Sequence, residues 1–121
     1  MPSLNIIVAG ADGQRLYGAI ETAMAAAALG STARIFLQGE AVGLLREPVS
    51  AAGDMARKAA GLPELAWMIG EAAAMEVGLF VCQTGMALVG LTAADMAPQV
   101  RSAGLVSFLR DVGDEDRLVV Y

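Results

Sequence analysis

Short apolar runs, spaced by turns and by stretches with helical periodicity, set the layout of the chain. Leu4-Asn5-Ile6-Ile7-Val8-Ala9 is rich in β-branched residues and ends in Gly10-Ala11-Asp12-Gly13, which predicts a buried strand followed by a turn. Leu16, Ile20, Met24 and Ala28 then recur with the spacing of one helix face, and Gly30 stands where a helix C-terminal glycine belongs. Ala33 to Leu37 predicts a second strand, closed by Gln38-Gly39-Glu40. Glu47 to Gly61 is polar and glycine-bearing and predicts a long loop. Pro63 suits the first turn of a helix whose apolar face is Leu65, Met68, Ile69, Ala72 and Met75, ended by Gly78. Leu79-Phe80-Val81-Cys82 is the third strand, passing through Gln83-Thr84-Gly85 into Met86-Ala87-Leu88-Val89. Thr92 with Asp95 three residues on reads as a helix start, which Pro98 limits to a turn or two. Leu105, Val106, Phe108 and Leu109 predict a helix stopping at Gly113, and Arg117 to Tyr121 a closing strand.

Strands alternating with helices predict an α/β fold: a single domain over residues 1–121, with a mainly parallel sheet of about five strands and helices on both faces. Ligands of such sheets gather beyond the carboxyl ends of the strands, so Gly10 to Gly13, Gln38 to Glu40 and Cys82 to Gly85 form the candidate site. Nucleotide signatures are absent from these turns. Gly10-Ala11-Asp12-Gly13 is not G-x-G-x-x-G, and no G-K-[ST] loop exists. A phosphoacceptor domain would want acidic residues at two strand ends, and here the third strand ends in cysteine.

Composition narrows the chemistry. The 121 residues carry 8 Lys+Arg against 13 Asp+Glu, a formal net charge of −5, with no histidine and one cysteine. An acidic surface argues against nucleic acid, because phosphate neutralisation needs a basic face. Without histidine there is no Ser-His or Cys-His pair, and most zinc sites are excluded; neither a metal nor another cofactor is expected. A single cysteine cannot form an internal disulfide, which fits a reducing compartment. Mean hydropathy is +0.57, so a membrane span has to be considered. Val77 to Ala94 contains no charged residue, but it holds Gly78, Gln83, Thr84, Gly85, Gly90 and Thr92 and lacks a flanking Lys or Arg anchor. A buried strand running into a helix explains it better. The N-terminus has no basic region and reaches Asp12 too soon for a signal peptide. The expectation is a cytoplasmic protein that avoids membranes and covers its surplus apolar surface with copies of itself.

Cys82 is the residue with chemistry to offer. A thiol at a strand end just before a helix faces backbone N–H groups and the positive end of a helix dipole. Both favour the reactive thiolate. Gln83 and Thr84 add hydrogen-bonding capacity. Free cysteine also commonly fills buried space, and position alone leaves both readings open. Asp12 and Glu40 are expected near Cys82 in a parallel sheet, as acid, base or turn caps; turn chemistry is the preferred reading, and a carboxylate close by would raise the thiol pKa. Arg57 and Lys58, on the long loop, would raise local positive potential or dock an acidic partner, against the plainer reading of a solvated face. Met24, Met68 and Met75 read as core. Asp111, Asp114, Glu115 and Asp116 read as a solvated loop, and Trp67 as either an oligomer contact or core.

Leu62-Pro63-Glu64-Leu65 opening a helix, Val77-Gly78-Leu79-Phe80-Val81-Cys82-Gln83-Thr84-Gly85-Met86, and Gly90-Leu91-Thr92-Ala93-Ala94-Asp95-Met96 together resemble the DsrE/DsrF-like proteins. The resemblance extends back through Gln38-Gly39-Glu40-Ala41-Val42 and on to the closing strand, covering nearly the whole chain. It implies a flavodoxin-like α/β fold, usually assembled as trimers or hexamers. It also implies a sulfur carrier of the Tus and Dsr type, in which Cys82 holds sulfane sulfur as a persulfide between a protein donor and a protein acceptor. Lacking a second cysteine, the chain would have to pass that sulfur to another protein or a small thiol. Asp12, Gly13, Gln38, Glu40, Gln83, Thr84 and Gly85 would line the pocket or steady the anionic sulfur. The alternative is a non-enzymatic oligomer that binds a small ligand or partner, with Cys82 merely lining the pocket. A structural subunit of a larger assembly is a third reading.

Overall fold

The structure, a computed structural model, describes residues 2–121. Among these residues five strands, β1 (Leu4–Val8), β2 (Ala33–Leu37), β3 (Gly78–Cys82), β4 (Arg101–Ala103) and β5 (Arg117–Val120), are interleaved with five helices. The helices are α1 (Gly13–Ala28), α2 (Asp54–Ala59), α3 (Leu65–Ala74), α4 (Gln83–Val89) and α5 (Leu105–Arg110). A 3-10 segment spans Gly39–Leu45 and a shorter one Ala93–Asp95. The strands lie in the order β4-β3-β2-β1-β5, and every pairing is parallel. This is the single-domain α/β fold expected.

The order dictates how the faces are covered. Stepping from β1 to β2 to β3 moves in one direction along the sheet, so right-handed crossovers place α1 and α3 on the same face. The return from β4 to β5 runs the other way and puts α5 on the opposite face. Alternation along the strands sends Ile6, Val8, Ile35, Leu37, Leu79 and Val81 toward α1 and α3, and all six are sealed from solvent. The other face carries Asn5, Ile7, Arg34, Phe36, Phe80 and Cys82. There α5 contributes Phe108, whose ring lies 5.0 Å from Phe36 and 6.0 Å from Phe80. One six-residue helix cannot span five strands, and Leu118, Val120, Val106 and Leu109 remain exposed.

A buried polar knot fastens this second face. Arg34 Nε donates to Asn5 Oδ1 at 2.7 Å, and its Nη2 donates to the Phe108 carbonyl at 2.9 Å. The guanidinium stacks 4.1 Å from the centre of the Phe108 ring. Asn5 Nδ2 in turn donates to the Arg117 carbonyl, so β2, β1, β5 and α5 share one set of bonds.

Several expectations are corrected. The stretch 47–61 is not all loop, since it contains α2. β4 is a strand the pattern does not announce; three residues, Arg101-Ser102-Ala103, are too few and too polar to show a period. Gly78 opens β3 instead of ending α3: the Phe80 ring folds back over it, and a Cβ there would sit 2.8 Å from that ring. The chain leaves α3 through Glu76, in the left-handed region at φ 66° where glycine is usual. Pro63 precedes α3 by two residues and lies outside its first turn, and α5 ends at Arg110, short of Gly113. On α1 the buried stripe is Leu16, Tyr17, Ala19, Ile20 and Ala23, with Ala28 exposed. A strict four-residue spacing overshoots a full turn by about 40° per step, so the stripe must drift.

Candidate functional site

β3 ends at Cys82, and α4 begins at the next residue with no intervening loop. Cys82 is the N-cap of α4, extended at φ −69° and ψ 125°, and its thiol makes no capping hydrogen bond. It is 6% exposed, on the same face of the sheet as Phe80, and its register partner on β4 is Ala103. Gly90, at φ 71°, ends the helix after seven residues.

Two of the three strand ends meet here. Gly85, in the first turn of α4, packs directly on the turn after β2. A Cβ at this position would overlap the Gly39 carbonyl and approach Val42 Cγ2 to 2.8 Å. Only glycine allows the two backbones so close, and Gly39 itself takes φ 59° to make the turn. Gln38, half-buried, binds through its backbone N–H to the Val8 carbonyl at 2.9 Å, while the Glu40 side chain is exposed. Gln83 and Thr84 are exposed on α4, and Met86 is buried one turn along. A Cβ on Gly104 would lie 3.9 Å from Gln83 Oε1, so the Gln83 side chain reaches toward the β4–α5 junction.

The third strand end is turned to a different task. Asp12 caps α1, its Oδ1 accepting from the Gln14 N–H at 2.9 Å, with Arg15 beside it at 3.9 Å. A Cβ on Gly13 would face Ala51 at 3.2 Å. β2 separates β1 from β3, so this turn is not adjacent to the Cys82 corner. Ala103 and Gly104, which do border it, belong to the strand that the sequence pattern does not reveal.

The sequence profile of the DsrE/DsrF-like family matches residues 3–121. The chain belongs to the DsrE/DsrF-like family. That membership supports a protein of the sulfur-relay type in general. Among solved structures, the crystal structure of the ychN protein from E. coli superposes with a TM-score of 0.77 at 20% identity, covering 100% of both chains. A protein of unknown function from Methanobacterium thermoautotrophicum, MTH1491, gives a TM-score of 0.73 at 14% identity, again over 100% of both chains. These two likenesses concern the fold alone. No curated protein shows significant similarity to the chain.

Away from the Cys82 corner, this DsrE/DsrF-like chain holds a second polar centre. Asp54 at the start of α2 accepts from the Tyr17 hydroxyl at 2.5 Å, the Leu65 N–H at 2.9 Å and the Ala51 N–H at 3.1 Å. Burial pushes its carboxyl up, but these three donors and the nearby Arg57 charge outweigh that and hold it below the ordinary carboxylate range. Burial first, and then the bond to Asp54, push the Tyr17 hydroxyl up to about 12. Arg57 stacks 4.4 Å from the centre of the Tyr17 ring and donates from Nε to the Pro63 carbonyl at 2.8 Å. Its side chain is only 15% exposed, so the solvated-face reading is wrong for Arg57, though Lys58 is exposed. Trp67 is 57% exposed and is not core. Asp116 is more than a solvated charge, because it accepts from the N–H groups of Ser3 and Gly113.

Among the described residues no three His, Cys, Asp or Glu side chains converge as metal ligands, and no helix is long and apolar enough to cross a membrane.

Proposed function

We propose that the protein is a sulfur carrier that accepts sulfane sulfur on Cys82 and hands it to a partner thiol. The observation carrying this reading is the placement of the sole cysteine where β3 passes straight into α4, in a chain of the DsrE/DsrF-like family. The Cys82 thiolate attacks the outer sulfur of a donor persulfide. The donor S–S bond breaks, its thiolate leaves, and a persulfide forms on Cys82. An acceptor thiolate then attacks that outer sulfur and Cys82 leaves as thiolate, so the cycle needs no oxidant or reductant. Thr84 and Gly85 lie in the first turn of α4, where a helix leaves its N–H groups without i−4 acceptors, and these groups would steady an anionic sulfur. Gln83 and Thr84 offer further donors at the rim. Gln38 and Glu40 belong to the turn that Gly85 rests on and act by holding α4 in place. Asp12 and Gly13 serve the start of α1.

The carrier acts as a homo-oligomer, a trimer or hexamer, with protein donors and acceptors in the cytoplasm. Support comes from the sheet face that α5 covers incompletely, where Leu118, Val120, Val106 and Leu109 are exposed. Sizing by light scattering checks this, a monomer being the contrary result.

Alkylation at neutral pH separates the carrier from a chain in which Cys82 only lines a pocket. A carrier thiol reacts in the folded state, and prior exposure to a polysulfide donor changes the adduct. A thiol that reacts only after denaturation contradicts the carrier reading. Cys82→Ser supplies the blank.

A further inference from the structure

A groove of about 320 Å³ lies on the helical side of the molecule, lined by Glu21 and Met24 of α1, by Arg57, Leu62 and Pro63, and by Trp67 and Met68 of α3. That volume falls within the range of small-molecule sites, and the lining has their usual character: mostly apolar and aromatic, with a few polar groups at defined positions. Trp67, the one tryptophan of the chain, is 57% exposed, and Leu62 is 51% exposed.

The polar groups specify the ligand. Arg57 is held before anything binds, with Nε committed to the Pro63 carbonyl and one face stacked on Tyr17. At its outer edge Nη1 lies 3.9 Å from Glu21 Oε1, and the Glu21 side chain is 61% exposed. An ion pair so long and so exposed contributes little and separates readily. A guanidinium edge and a carboxylate side by side, next to an apolar groove, complement a ligand that carries a carboxylate and an ammonium on one carbon and an apolar body behind them. We propose that this groove binds an α-amino acid with an apolar side chain. Its carboxylate pairs with Arg57, its ammonium with Glu21, and its side chain packs against Trp67, Met24 and Met68. A simple carboxylate would set its charge against Glu21, and a simple amine would set its charge against Arg57.

Trp67 fluorescence, excited selectively in the presence of phenylalanine, reads binding directly. The expected result is a saturable change with L-phenylalanine and with L-methionine at millimolar concentrations. 3-Phenylpropionate and phenethylamine are expected to bind about threefold to fivefold more weakly, the scale of an exposed ion pair. Glu21→Gln, a change at an exposed side chain, is expected to bring phenylalanine down to the affinity of 3-phenylpropionate while leaving the melting temperature unchanged. Calorimetry on Trp67→Ala, which loses the packing surface, is expected to show no binding. Absence of saturation with either amino acid overturns the proposal. So does equal binding of phenylalanine and 3-phenylpropionate, or an unaltered response in Glu21→Gln.

Discussion

The Asp54 centre and the Cys82 corner both fasten a connection after a strand, and they do so by opposite means. At Asp54 polar chemistry is used up: an ionised carboxylate takes three hydrogen bonds, and Tyr17 and Arg57 stack beside it. At Cys82 the positioning is done by backbone contact, Gly85 against Gly39, and the thiol is not spent on a cap. A group whose bonding capacity is consumed holds structure. A thiol positioned by packing alone keeps its bonding capacity, as the carrier role proposed for Cys82 requires.

Substitutions test the contrast in descending order of effect. Asp54→Ala strands three donors and an arginine and is expected to cost about 3–4 kcal/mol in denaturant unfolding, with alkylation of Cys82 in the folded protein unchanged. Because the Asp54 carboxyl is held below its ordinary 3.8, its contribution is present above that pH and is lost as pH falls through the folded-state value. Asp54→Asn should therefore flatten the acid limb of the stability profile. Gly85→Ala forces a Cβ into the Gly39 backbone, at a cost of about 2–3 kcal/mol. Unlike the Asp54 variants, it must displace α4 and change the Cys82 alkylation rate; an unchanged rate would remove the packing argument.

Tyr17→Phe deletes one bond to a charged acceptor and is expected to cost about 1.5–2 kcal/mol. The raised hydroxyl gives the opposite pH sign. Its contribution is complete below the ordinary value of 10.0 and disappears as pH rises toward about 12, so the variant loses that alkaline limb. The smallest effect has the opposite direction. Glu76→Gly relieves the left-handed backbone at the exit of α3 and should stabilise by about 1 kcal/mol, read as a raised melting temperature.

Much of the architecture was legible in the apolar periods, because buried parallel strands such as Leu4–Val8 and Ala33–Leu37 are near-continuous apolar runs bounded by glycine turns. Position along the chain also placed Cys82 at a strand end and brought Gln38–Glu40 beside it. β4 was not legible, since an edge strand of three residues buries too little to leave a pattern. With it went Ala103 and Gly104, the neighbours of Cys82. Nor was the Asp54 centre legible. Asp54, Tyr17 and Leu65 are far apart in sequence, and a buried aspartate in a polar stretch looks like any solvated one until its donors are folded around it.

Intact-mass spectrometry without reductant tests the central claim most directly, by following the protein through loading with polysulfide and then through addition of a small thiol. The account predicts a gain of sulfur that Cys82→Ser does not show, followed by its loss to the thiol with the starting mass restored. A chain that gains nothing, or whose gain persists in Cys82→Ser, contradicts it.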